Sequence, residues 1–142
     1  MSPSASQPRA LEEALAVSAR WIEDLGDRLG WRERRNVLPA MIAALHGLRD
    51  AIDREEAIAL GACLPTLLRG FYYEGWRPSA RLSPTRAHLL ERIHEAVHRE
   101  PGIDPEQVAR AVFALLAERL PGPELEEAKA FTPDELRSLW PD

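Results

Sequence analysis

Apolar residues recur along this chain at three- and four-residue steps, the period of an amphipathic helix, and nowhere in the alternation that marks a half-buried strand. The first stripe is Leu11, Leu15, Ser18, Ile22, Leu25 and Leu29. It predicts a helix that starts near Pro8, a residue suited to a first turn, and that breaks at Gly30-Trp31. A second helix, over about 33–50, is expected to bury Val37, Met41, Ala44, Leu45 and Leu48. Asp53 reads as an N-cap, with Glu56 three residues later in the reciprocal capping position. That helix carries Ala57, Ile58 and Leu60, and Leu64-Pro65 starts the next one.

Pro78, Ser79, Ser83 and Pro84 form a hinge. Beyond it a helix over about 84–100 turns Leu89, Leu90, Ile93 and Val97 inward and ends at Pro101-Gly102. Asp104-Pro105 reads as N-cap and first-turn proline of a helix through Leu120, with Pro121-Gly122-Pro123 as its stop. Thr132-Pro133-Asp134-Glu135 is expected to be a capping box that opens a last short helix. The fold class is therefore all-α, a bundle of seven or eight helices.

The two halves of this pattern read alike at a constant spacing of 68 residues. Leu64-Pro65-Thr66-Leu67-Leu68-Arg69-Gly70-Phe71-Tyr72 lies over Thr132-Pro133-Asp134-Glu135-Leu136-Arg137-Ser138-Leu139-Trp140. Without a gap, the same offset sets Leu25 on Ile93, Leu29 on Val97, Ala43 on Ala111, Leu48 on Leu116 and Ile52 on Leu120. A fixed period over that length predicts a duplicated unit, each half burying its apolar face against the other. The expected organisation is one domain over 1–142, with a first repeat at 11–78 and a second at 79–142.

Composition narrows the function classes. With 142 residues, 45% hydrophobic and 29% charged, the chain can build a core without disulfides or metals. No apolar run approaches the roughly 20 residues of a membrane span, and Met1 to Pro8 lacks a basic stretch followed by an apolar one. One cysteine, Cys63, rules out an internal disulfide and suits a reducing compartment, so a cytoplasmic location is expected. A net charge of −5 argues against nucleic-acid binding, and the basic group Arg32, Arg34 and Arg35 is interrupted by Glu33.

One resemblance fits this outline. Ala44-Leu45-His46-Gly47-Leu48-Arg49-Asp50, Glu55-Glu56-Ala57, and 60–64 running into Pro65 continue through Leu68-Arg69-Gly70-Phe71-Tyr72-Tyr73-Glu74-Gly75-Trp76. Through these residues, and through a weaker second copy at 131–140, the chain resembles the bacterial domain-of-unknown-function family 2267. The resemblance implies an all-α fold and a small bacterial cytoplasmic protein. It implies no catalytic residues and no cofactor.

Three groups of residues offer chemistry. His94-Glu95-Ala96-Val97-His98 matches H-E-x-x-H on a predicted helix, where two histidines on one face can share zinc and the glutamate can activate its water. Glu118 has the spacing of a third ligand. Against that reading, Arg99 and Glu100 follow the second histidine, there is no sheet edge to hold a substrate, and the 68-residue offset sets both histidines on glycines, Gly26 and Gly30. Arg49-Asp50, Glu55, Glu56 and Arg69 form a polar group that either binds an ion or a partner, or pairs and caps helix ends. Cys63, with His46 upstream, reads as a buried small residue.

Phe71, Tyr72, Tyr73 and Trp76 crowd into six residues, more than one helix face can bury. With Arg69 and Arg77 at the rim, they make an interaction surface or, alternatively, close the core over the hinge. The reading that follows is a non-catalytic module that binds a protein partner or its own copy, with no membrane and no nucleic acid as partner. A zinc-dependent hydrolase and a carrier with a small ligand between the repeats are the alternatives.

Overall fold

A computed structural model, which describes residues 8–78, 84–98, 100 and 102–142, turns the helical period into eight α-helices and, among the described residues, no strand. They are α1 Arg9–Leu29, α2 Val37–Arg49, α3 Arg54–Ala62, α4 Thr66–Tyr73, α5 Arg86–Val97, α6 Pro105–Arg119, α7 Gly122–Phe131 and α8 Asp134–Arg137. A short 3-10 turn, Arg34–Asn36, leads into α2. Ser79 and Ser83 of the expected hinge, and Pro101, lie outside the described residues.

Local chemistry accounts for most of the boundaries. Gly30 ends α1 in the left-handed conformation, φ 68°, where a side chain would be strained. Asp53 accepts from the backbone N–H of Glu56, and Asp104 from that of Glu106 with Pro105 in the first turn. One stop does more than expected, and one cap fails. Pro121-Gly122-Pro123 stops α6 but also opens α7, because glycine and proline cost little in a first turn whose N–H groups have no helical partner. Thr132 does not cap α8: its hydroxyl is buried, donates to the carbonyl of Ala128 and accepts from Nε1 of Trp140.

One continuous core draws residues from every helix, from Trp21, Leu25 and Leu29 of α1 to Leu136, Leu139 and Trp140 around α8. The leading half of the first stripe is not part of it. Leu11 and Leu15 are 43% and 49% exposed, because the inward face of α1 runs through Ala14, Val17, Ser18, Trp21 and Leu25. Trp21, not Ile22, then turns inward.

Helix starts recur at a fixed distance: Val37 and Pro105, Arg54 and Gly122, Thr66 and Asp134 each lie 68 residues apart. The packing is reciprocal in the same sense. α2 packs on α5 while α1 packs on α6, and the pairs α2 with α6 and α3 with α7 face each other. No helix among the described residues is long and apolar enough to cross a membrane.

Candidate functional site

α4 presents the aromatic cluster at one end of the bundle. Leu68 and Tyr72, four apart on its inner face, are fully buried, so Tyr72 belongs to the core and not to the expected surface. Its hydroxyl donates to the carbonyl of Ala57 in α3 at 2.7 Å, and burial holds that phenol far above its ordinary pKa. Arg69 is exposed, but its guanidinium is committed to backbone carbonyls. It donates to those of Gly61 and Leu64 at 3.1 and 2.9 Å, satisfying the end of α3 and the loop that follows.

What remains outward is Phe71, Tyr73 and Trp76, all half-buried, with Arg77 exposed beside them. Tyr73 meets Tyr72 edge-on at 5.0 Å and stacks on Trp76 at 5.5 Å. Gly75, at φ 69°, makes the turn that returns Trp76 toward Tyr73. The Tyr73 hydroxyl donates to the carbonyl of Ile58, which brings a residue 45% exposed alongside the rings. The helical period of α3 gave no hint of that neighbour, because the link is made across the bundle.

A buried cation anchors this end. Arg49 of α2, 2% exposed, donates to both Asp50 carboxylate oxygens at 2.8 and 3.1 Å and to the carbonyls of Tyr72 and Glu74 at 2.7 and 2.9 Å. Arg92 of α5 closes on the same Asp50 and donates to the carbonyl of His46, whose Nε2 in turn donates to that of Phe71 at 2.7 Å. Burial alone would raise the Asp50 carboxyl, but hydrogen bonds from Arg49 and Arg92 hold it below its ordinary range. Burial lowers the His46 pKa, and the charges of Arg49 and Arg92 lower it further, so the ring is neutral at physiological pH. Of the two readings open for the polar group, Arg49, Asp50 and Arg69 realise the pairing and capping one.

The H-E-x-x-H residues lie elsewhere, on the outer face of α5. His94 and His98 are exposed, and Nδ1 of His98 is hydrogen-bonded to the carbonyl of Glu95. Glu118 of α6 pairs instead with Arg28 of α1, beside a bridge from Arg28 and Arg119 to Asp24. The structure does not bring His94, His98 and Glu118 into one ligand set. Among the described residues no three His, Cys, Asp or Glu side chains are placed to hold a metal ion.

Glu56 is the residue that sequence reasoning misplaced. Its backbone is capped as expected, but its carboxylate does not reach back to Asp53. The side chain, 4% exposed, lines a cleft between α3 and α7 with Ala59, Leu60, Cys63, Leu120, Glu124 and Glu127. Burial, and then the charges of Glu127 and Asp53, push its pKa up to about 7. Cys63 lines the same cleft, its thiol raised by burial and by Glu124 and Glu56, which disfavours the reactive thiolate. The cleft, lined from both halves, measures about 10 Å³, room for roughly one water and not for a small organic ligand.

The chain belongs to the family of uncharacterized conserved proteins DUF2267, whose model matches residues 18–139. The match begins at Ser18, the first fully buried residue of α1, and leaves out the turns that carry Leu11 and Leu15. A comparison with curated proteins finds no match.

Proposed function

We propose that this protein is a non-catalytic helical module, of bacterial cytoplasmic origin, that binds another protein or a second copy of itself. The observation that carries the reading is the aromatic end of the bundle. Phe71, Tyr73 and Trp76 keep accessible surface, while His46 and Arg49 tie the backbone beneath them by hydrogen bonds to Phe71, Tyr72 and Glu74. Rigid, half-exposed aromatics rimmed by an arginine bind at low entropic cost, because little freedom is left to lose on association. With Tyr72 in the core and the Arg69 guanidinium held by backbone carbonyls, the contact surface is Phe71, Tyr73, Trp76, Arg77 and the adjoining Ile58. A net charge of −5 favours a protein over a nucleic acid as the partner.

We propose further that the module is two like four-helix units packed about a pseudo-twofold axis. The recurring helix starts and the reciprocal pairing of α2 with α5 and α1 with α6 support it, since an isologous contact repeats in this way.

Trp76→Ala tests the binding surface. Wild type is expected to recover a partner at near-equal amounts, or to sediment as a dimer at micromolar concentration. Trp76→Ala should lose that association while unfolding within about 1 kcal/mol of wild type, the loss of one ring stack. A variant that loses stability but still associates refutes the surface.

A further inference from the structure

The outer face of α1 carries a line of residues that the bundle does not use. Opposite the buried Ser18, Trp21 and Leu25 stand Arg9, Glu12, Ala16, Arg20 and Glu23, at steps of three, four, four and three residues. Glu12 is half-buried and the other four are exposed. Leu15 and Ala19 run beside the line, both exposed, Leu15 at 49%. Further along α1 the charges are spent within the molecule: Asp24 on Arg28 and Arg119, Asp27 on Arg34, and Arg28 on Glu118 as well. Arg9, Glu12, Arg20 and Glu23 enter no ion pair with another described residue.

The steps read the same in both directions from Ala16, and the charges change sign. Arg9 and Glu23 are equally far from Ala16, and so are Glu12 and Arg20. A second α1 laid antiparallel, with Ala16 at a twofold axis, therefore sets Arg9 against Glu23 and Glu12 against Arg20. Each pairing occurs twice, because a twofold contact repeats itself. A parallel copy in register would set every charge on its own kind. Alanine at the centre lets two helices approach closely, and Leu15, one residue from the axis, packs beside its own copy. Exposed ion pairs contribute little each, so burial of Leu15, Ala16 and Ala19 drives the contact and the charges choose its direction.

We propose that two copies of this protein pair through α1, antiparallel, about a twofold axis at Ala16. The pairing uses none of Phe71, Tyr73, Trp76 or Arg77, so Trp76→Ala leaves it intact. It stands apart from the aromatic end, whose measure is then the capture of a different protein.

Sedimentation equilibrium on the full chain tests it. A single helix pair buries less than the roughly 1,200 Å² of a standard interface, so wild type is expected to dimerise at about 0.1 mM. Arg9→Glu with Arg20→Glu makes the line wholly acidic and should weaken the dimer by about tenfold or more. Adding Glu12→Arg and Glu23→Arg restores opposite signs across the axis and should recover it. The substituted residues pair with no described residue, so circular dichroism should be unchanged throughout. A second readout is specific to the geometry: in a Cys63→Ser background, Ala16→Cys should cross-link between copies on mild oxidation, and Leu11→Cys, far from its own copy in this arrangement, should not. A wild type still monomeric at about 1 mM, ten times the expected constant, overturns the proposal. So does a dimer that Arg9→Glu with Arg20→Glu leaves unchanged, or one in which Ala16→Cys cross-links no faster than Leu11→Cys.

Discussion

Around the start of α4 and the start of α8 the chain builds nearly the same joint twice, from different chemistry. Pro65 and Pro133 enter the two helices with closely similar backbone angles, and Leu68 and Leu136 are both fully buried. Arg69 donates to the carbonyl of Leu64, and Arg137, 68 residues on, to that of Thr132. The aromatic residues that follow part company. Tyr72 sends its hydroxyl across to Ala57 in α3, whereas Trp140 keeps its Nε1–H within the joint, on the Thr132 hydroxyl, and packs on Phe113 at 4.6 Å.

The braces differ more. At the first joint His46 and buried Arg49 reach from α2 into the end of α4, while the corresponding residues of α6 are Ala114 and Ala117. The second joint is held from outside, by Arg86 and Arg110 on Glu106 and Ser138, all near solvent. A buried cation with four acceptor atoms makes the first joint depend on one residue; exposed pairs spread the load and contribute little each. Rigidity is therefore concentrated beneath the aromatic cluster.

Arg49→Ala is expected to break this comparison most severely. It leaves Asp50 and the carbonyls of Tyr72 and Glu74 without their buried donor, at a cost of about 3–5 kcal/mol in urea unfolding. Arg110→Ala, at the exposed brace, should cost less than about 1 kcal/mol.

A second contrast sets Glu56 against its counterpart Glu124, which is exposed. The Glu56 pKa is raised on folding from 4.5 to about 7, so the folded state binds the extra proton. Its stability is fully present below the unfolded pKa and is lost as pH rises through about 7. Glu56→Gln, uncharged throughout, should therefore unfold later than wild type at pH 8, by about 1 kcal/mol because water at the cleft screens the charge, and show little gain at pH 5. Glu124→Gln should change stability by less than about 0.5 kcal/mol at either pH. Thermal melts across that range read both. A matched pair sharpens the likeness: Arg69→Ala and Arg137→Ala should each cost about 1 kcal/mol, and a gap larger than that would show the two joints to be different devices.

Much of this was legible in the chain. The caps at Asp53 and Asp104, the break at Gly30 and the buried faces of α2 and α5 depend on contacts within one or two helical turns, which sequence spacing encodes directly. α7 was hidden because Gly122 and Pro123 are breakers inside a helix and acceptable at its start, and spacing alone does not say which. Thr132 and Glu56 were hidden for the converse reason. Each has a residue type and spacing that suit a cap, but in the fold a ring from α8's end claims Thr132 and the arrival of α7 buries Glu56.

The amino-acid order by itself determined an all-α chain, the placing of most of its helices and the buried stripes of α2 and α5, because a period of 3.6 residues and a cap are local properties. It also carried the 68-residue likeness of the halves. Only the tertiary structure decided which polar groups lose water. Tyr72 became core while Tyr73 stayed at the surface, Arg49 sank among carbonyls, and Glu56 met Glu127 from more than seventy positions away along the chain. Burial depends on what packs alongside, and for these residues that neighbour lies on another helix.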